Sequence, residues 1–155
     1  MNQILAALQQ LVNEAYPNLP VLSSYGKWLA GSFDPPCVFV YADHAGEKAN
    51  TLTSHRKLYS GLIVLHFPRD STSGEYQPIA TDSLTDILRR ERFMYPALVN
   101  GKKVVLTIDS EKFLMRLNGR GDRIYVTFPI ETVAKIPVSE APPIQNFQLE
   151  SGGSQ

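Results

Sequence analysis

The sequence predicts an α+β domain in which a mostly antiparallel sheet is flanked by two helices, in the order α-β-β-β-α-β-β-β. Three observations carry this prediction. They are an apolar stripe at helical spacing near the N-terminus, an uncharged apolar run in the middle of the chain, and short strand-like segments with glycine-containing turns near the end. Helices gathered on one side of an antiparallel sheet are the arrangement that this order favours.

The first helix is predicted over residues 3–15. Ile4, Leu8 and Leu11 recur there at helical spacing, and polar side chains occupy the opposite face. Pro17 ends the helix, because the residue before a proline avoids helical backbone angles.

The central strand is predicted over residues 52–67, and its part 58–67 contains no Asp, Glu, Lys or Arg. Successive side chains of a strand point to opposite faces, and here both faces are mostly apolar. We therefore expect a strand covered on both sides, the second face by a helix or by another copy of the chain. Gly61 predicts a bend or bulge within it.

The remaining elements are shorter. A second helix is predicted at 76–92 and strands at 37–41, 103–109, 112–117 and 123–133, while 21–25 is ambiguous and compatible with a short strand. The polar segment 43–53, which contains Gly46, and the segment 28–33 are predicted as loops. Residues 1–136 form the predicted domain, and 137–155, rich in proline and glycine, a predicted extended or disordered arm.

Composition restricts the function. The chain has 155 residues, of which 43% are hydrophobic, and its 15 Lys and Arg balance its 15 Asp and Glu. A zero formal charge argues against a dedicated nucleic-acid binder, which needs clustered excess cations. A single cysteine excludes an intramolecular disulfide and favours a reducing compartment such as the cytoplasm. Neither a membrane-spanning apolar run nor the pattern of a signal peptide is predicted.

The histidines His44, His55 and His66 are spaced evenly, but this spacing matches no known metal motif. With His44 in a predicted loop, we do not expect the three to come together. His66, inside the apolar strand, is predicted to be a buried or interface histidine with a hydrogen-bond partner.

Cys37 with Asp43 and His44 is the conceivable nucleophile set, yet the apolar surroundings of Cys37 favour a small buried side chain. The tripeptide 120–122, Arg-Gly-Asp, is interpreted as a tight turn rather than as an integrin ligand. No catalytic residue, metal or cofactor is predicted.

Two groups of residues are candidates for contact with a partner. One is a locally basic cluster that ends the second helix and continues to the next strand, and the other is a set of aromatic side chains around a proline-rich turn. The candidate interface residues are Trp28, Phe33, Arg89, Arg90, Arg92, Lys103 and Arg120. The alternative for the basic cluster is a solvated helix end that complements the helix dipole.

Several pieces of the chain together carry a family resemblance. They are the opening helix ending in Ala15-Tyr16-Pro17, the strand entry Pro35-Pro36-Cys37-Val38-Phe39-Val40, the strand end Leu65-His66-Phe67-Pro68, the helix 79–90 and the closing strand meander. Over residues 3–136 this layout resembles the tail terminator proteins of long-tailed bacteriophages and related prophages.

The resemblance implies a ring, usually hexameric, at the head-proximal end of the tail tube, where it stops tube growth and offers a surface to the head. The implied partners are further copies of the chain, the tail-tube protein and the head connector or stopper protein. Nucleic acid would only pass through the ring, and neither a membrane nor a cofactor is implied. The implied location is the virion tail, with the host cytoplasm during assembly.

Three alternatives stay open. The chain could be another neck or tail-tube protein of a phage. It could be a small ligand-binding or enzymatic domain that uses Trp28, Asp43 and His44, which predicts a concave pocket with convergent polar groups. It could also contact nucleic acid through Arg89, Arg90, Arg92 and Lys103.

Overall fold

The structure is a computed structural model that describes residues 2–135, in which three α-helices accompany a seven-stranded sheet. The helices are α1 (Asn2–Ala15), α2 (Tyr25–Leu29) and α3 (Asp82–Arg90). The strands are β1 (Val21–Leu22), β2 (Cys37–Thr51), β3 (Ser54–His66), β4 (Met94–Val99), β5 (Lys102–Ile108), β6 (Leu114–Leu117) and β7 (Arg123–Lys135). The predicted arm 137–155 lies outside the described residues.

The sheet has the strand order β1-β2-β3-β7-β5-β4, and β6 also pairs with β7. Only the short β1–β2 pairing is parallel among the described strands. The predicted mixed α and β class with a mostly antiparallel sheet is confirmed. The predicted element order is not matched, since α2 and β4 were not predicted.

Helix α1 forms where its apolar spacing predicted it. Leu8, Leu11 and Val12 lie on its inner face and are fully buried, and the helix packs against β2 and β4. An amphipathic helix gains most of its stability from burying such a stripe, so the sequence pattern determined both the helix and its buried face.

Strand β3 is interior, between β2 and β7. On one face Ile63 and Leu65 join the main hydrophobic core with α1 and α3. On the other face Val64 and His66 are buried, whereas Ser60 is exposed. The prediction of cover on both sides therefore holds at the C-terminal half of the strand, where α2 supplies the second cover.

Gly61 does not form the predicted bulge, because the pairing of β3 with β7 runs without interruption from Ser54 to His66. Its cross-strand partner is Phe128, whose Cε2 would lie 2.5 Å from a β-carbon at position 61. The glycine is required by this close approach of an aromatic ring to the backbone.

The predicted loop at 43–53 is wrong. Strand β2 continues through Thr51 and pairs with β3 along this polar stretch, with register shifts at 44–46 and 49–51. Pairing with β3, which itself pairs with β7, satisfies one side of the β2 backbone, so polar side chains are tolerated on a three-stranded part of the sheet where the β2 side chains are largely exposed.

Three further boundaries differ from the prediction. Helix α3 begins at Asp82 instead of residue 76, since Tyr76 forms an isolated bridge with Arg69. The predicted loop 28–33 begins inside α2, which Ser24 caps by accepting a hydrogen bond from the Lys27 amide. The unpredicted β4 contains Pro96, which an edge strand accommodates because only one of its sides is paired.

Candidate assembly surface

Strand β6 is the most exposed apolar element among the described residues. All four of its side chains are exposed, and three are large and apolar: Leu114 (62%), Met115 (46%) and Leu117 (55%). The strand pairs with β7 on one side, and no described strand pairs with its other side. An unpaired strand edge with apolar side chains on both faces is a ready template for another strand.

Strand β2 supplies a second open edge. Strand β1 covers it only at Val38 and Phe39, so the part from Val40 onward has no described strand on its outer side. The edge at β4 is different. There the Gln10 side-chain amide donates to the Leu98 carbonyl (2.8 Å) and accepts from the Leu98 backbone N–H (2.9 Å). Both backbone groups of Leu98 are therefore already hydrogen-bonded and are not free to pair with another strand.

The predicted interface aromatics Trp28 and Phe33 lie on the second face of the sheet. The Trp28 ring stacks on Phe39 with 4.5 Å between centroids, and its Nε1 donates to His66 Nε2 at 2.8 Å. The Phe33 ring lies 4.3 Å from the His66 ring. Both aromatics are half-buried, so much of their surface covers the sheet and is not offered to a partner.

His66 is buried and hydrogen-bonded, as predicted. Burial, together with the nearby Arg123 guanidinium, lowers the pKa of His66 from 6.5 to about 4. The imidazole is therefore neutral at pH 7, and its Nε2 accepts the indole hydrogen.

The hypothesised ligand site of Trp28, Asp43 and His44 does not assemble. The indole N–H of Trp28 is already bound, and Asp43 and His44 are consecutive residues of β2. Asp43 lines a shallow depression of about 440 Å³ with Tyr41, while the His44 ring packs edge-on against Tyr59. The sequence interpretation placed all three near one loop, and a strand instead sends neighbouring side chains to opposite faces.

Two of the three histidines lie near the same carboxylate, a contact that their spacing in the sequence did not predict. His44 Nε2 lies 3.8 Å and His55 Nε2 3.9 Å from the Glu47 carboxylate, because the loop was in fact a hairpin arm. His66 lies at the opposite end of β3. Within residues 2–135, no group of three potential metal ligands is close enough to hold an ion.

Cys37 is 1% exposed and pairs with His66 across β2 and β3. Burial raises the pKa of its thiol to about 11, with a smaller contribution from Asp34. The side chain is the small buried group that the sequence predicted.

We expect Cys37 to be unreactive in the folded chain. A thiol-specific reagent at pH 8 should modify it only after unfolding in denaturant. The raised pKa keeps the thiol protonated, and burial keeps the reagent away from the sulfur. Modification of the native protein at the rate seen in denaturant, measured by mass spectrometry, would contradict this assignment.

Two arginines of the basic cluster, Arg89 and Arg90, form ion pairs with carboxylates. Arg89 pairs with Asp86, and Arg90 contacts both Glu14 (2.8 Å) and Glu91 (3.0 Å). The bond from Arg90, followed by that from the Tyr95 hydroxyl, lowers the pKa of the Glu14 carboxyl. The ion pair between Arg90 and Glu14 joins the end of α3 to α1, whereas that between Arg89 and Asp86 lies within α3.

The other candidate residues are dispersed. Arg92 is exposed after α3, Lys103 lies on β5, and Arg120 is exposed in the β6–β7 turn. In that turn the Asp122 amide donates to Asn118 Oδ1, and the Phe67 amide donates to the Asp122 carbonyl. These bonds support a structural turn at the Arg-Gly-Asp tripeptide. The seven candidate interface residues do not form one patch.

Sequence reasoning missed the exposed edge of β6 although it found the strand. The available signal was the stretch Leu-Met-Arg-Leu, in which three of four residues are apolar and each alternating face carries a leucine, unlike a strand with one wet face. Among the described residues, no helix has the length and hydropathy needed to span a membrane. No protein-family model matches the chain, and no curated protein sequence matches it.

Proposed function

We propose that this protein is a structural ring component of a phage tail, of the tail terminator type. Copies associate head to tail into a ring, hexameric as the family resemblance implies. The ring stacks on the head-proximal end of the tail tube, stops its polymerisation and presents its other end to the head connector.

The observation that carries the proposal is the layout of the sub-sheet β2-β3-β7-β6. Its two outer strands, β2 and β6, each have an edge with which no described strand pairs over most of its length, and these edges lie on opposite sides of the sub-sheet. Every pairing within the sub-sheet is antiparallel, so β2 and β6 run in opposite directions. If β6 of one copy adds to β2 of the next, the antiparallel alternation continues across the junction.

This geometry favours a ring over a two-fold dimer. A two-fold interface uses one surface twice, whereas a ring needs two different surfaces that fit each other. Strand β1 occupies Val38 and Phe39, so an added β6 would be staggered toward Val40 and beyond. Closing a sheet into a barrel requires such a stagger between strands.

Burial of the β6 side chains supplies the driving force. Leu114, Met115 and Leu117 are each about half exposed or more, and burying a large apolar side chain contributes roughly 1.5–3 kcal/mol when complete. The balanced charge of the chain offers little repulsion between copies.

The test is a charged substitution on the β6 edge. The double variant Leu114→Arg with Leu117→Arg should abolish ring formation and tube capping while leaving the fold intact, since both side chains are exposed. Particle mass in solution and the length distribution of tail tubes assembled in its presence are the measurements. Leu52→Arg is the matched control, because Leu52 is 98% exposed at the tip of the β2–β3 arm.

The outcomes separate the proposal from its alternatives. A β6 variant that assembles and caps like the Leu52 control would contradict the proposal. Unlimited polymerisation of the unmodified chain into tubes would favour a tail-tube protein instead. Monomeric behaviour with tight binding of a small molecule at the depression beside Tyr41 and Asp43 would favour a ligand-binding domain.

A further inference from the structure

Strand β4 is the last strand of the sheet beyond β5 and carries exposed apolar side chains. Exposed and buried positions alternate along it, and the exposed ones are Met94, Pro96 and Leu98. Met94 and Leu98 are each more than half exposed. An edge strand with exposed apolar side chains favours association with other chains. Among the described residues no strand lies on the outer side of β4, so other groups determine whether this edge can pair.

The backbone groups that point away from β5 belong to the same three residues. The N–H and C=O groups of successive residues in an antiparallel strand point to alternate sides. The bonds of Leu98 to the Gln10 side chain place its backbone groups on the outer side of β4. Pro96 and Met94, two and four residues earlier, therefore face outward as well. A second strand can pair with β4 only through these three positions.

At none of these three outward positions is a backbone N–H available. The Met94 N–H donates to the Glu91 carbonyl at 3.0 Å, and Pro96 has no N–H because its ring replaces it. The Leu98 N–H donates to Gln10 Oε1 at 2.9 Å. Leu98 is thus the one outward position whose donor is withheld by a side chain, and Gln10 is that side chain.

The Gln10 side chain takes the place of a neighbouring strand at Leu98. Its Nε2 donates to the Leu98 carbonyl at 2.8 Å while its Oε1 accepts from the Leu98 N–H. Two directly opposed residues of an antiparallel ladder exchange the same two bonds. Helix α1, which carries Gln10, packs against β4 and holds the side-chain amide at this edge.

We propose that Gln10 excludes β4 from strand pairing with a second copy of the chain and so restricts assembly to other edges of the sheet. Without the side-chain amide, Leu98 of one copy can exchange both bonds with Leu98 of another copy across a two-fold axis. The exposed leucine side chains of the two copies would be buried together at that contact. The exclusion arises from contacts within one chain and does not depend on β6 and β2 forming a ring.

Hydrogen exchange and particle mass together test this role. Gln10→Ala removes both side-chain bonds, and alanine is compatible with α1 because it favours helix. At low protein concentration the Leu98 amide of the variant should exchange at least tenfold faster than in the unmodified chain. At high concentration the variant should dimerise with an association constant at least tenfold above that of the unmodified chain. Gln9→Ala, also on α1, is the matched control and should change neither measurement.

A second substitution locates the new contact. Leu98→Pro in the Gln10→Ala chain removes the released donor, as Pro96 does at another outward position, and should return the dimer to monomer. Measuring these chains with the charged β6 double substitution as well separates this role from ring formation. A dimer that forms there supports the role of Gln10 whether or not the unmodified chain makes rings. Unchanged exchange of the Leu98 amide, association no stronger than in the control, or a dimer that persists with Leu98→Pro would each overturn the proposal.

Discussion

Replacing Gly61 by valine is expected to destabilise the folded chain by about 3 kcal/mol, as measured by urea unfolding at fixed protein concentration. A β-carbon at this position would lie 2.5 Å from Phe128 Cε2 and 3.0 Å from Ile130 Cδ1. Phe128 is 3% exposed and Ile130 fully buried, so neither can move into solvent. The strand preference of valine offsets the clash by less than about 1 kcal/mol.

A double-mutant cycle identifies the cause of this loss. Phe128→Ala alone should cost about 3–5 kcal/mol because it opens a cavity in the core. The combined variant with Gly61→Val should lose less than the sum, by about 1–2 kcal/mol, since the new side chain fills part of that space. Gly119→Val is the control, because nothing lies within 4 Å of a β-carbon there. Strict additivity would contradict the proposed contact.

Acidification is expected to destabilise the chain through His66 by about 2.5 kcal/mol between pH 6.5 and pH 4. The pKa of His66 is lowered to about 4 in the folded chain, against 6.5 ordinarily. As the pH falls, the unfolded chain takes up this proton first, so stability is complete above pH 6.5 and is lost toward pH 4. Well below pH 4 both states are protonated, and the loss from this group levels off.

His66→Gln separates this contribution from that of the carboxyl groups. The glutamine Oε1 can still accept the hydrogen bond from Trp28 Nε1, but the side chain does not titrate. The variant should therefore lose less stability than the unmodified chain between pH 6.5 and pH 4, measured by denaturant unfolding at several pH values. Parallel loss in both chains would contradict the assignment.

The strongest sequence patterns determined the parts of the fold that local chemistry controls. The apolar spacing of Leu8 and Leu11 fixed α1, and the uncharged run at 58–67 fixed β3 as an interior strand. The same run identified His66 as buried with a partner, although the identity of that partner, Trp28, depends on tertiary packing. Sequence spacing alone does not contain such long-range contacts.

The misplaced elements are those in which pairing overrides local preference. The polar stretch 43–51 is a strand only because β3 lies beside it, and Pro96 is accepted in β4 because that strand is at an edge. The candidate assembly surface was missed for a related reason. In the sequence, Leu114 and Leu117 resemble ordinary strand residues. Only the sheet order shows that no described strand pairs with the outer side of their strand.

Particle mass in solution, with and without a tail-tube protein encoded in the same genome, tests the central claim of the proposal most directly. The claim is that copies of this chain fit one another through β6 and β2 and together close the end of a tube. A discrete particle of one closed ring, formed alone or when tubes are added and then found at tube ends, is the predicted result. A chain that remains monomeric at high concentration and neither binds nor caps tubes would contradict it.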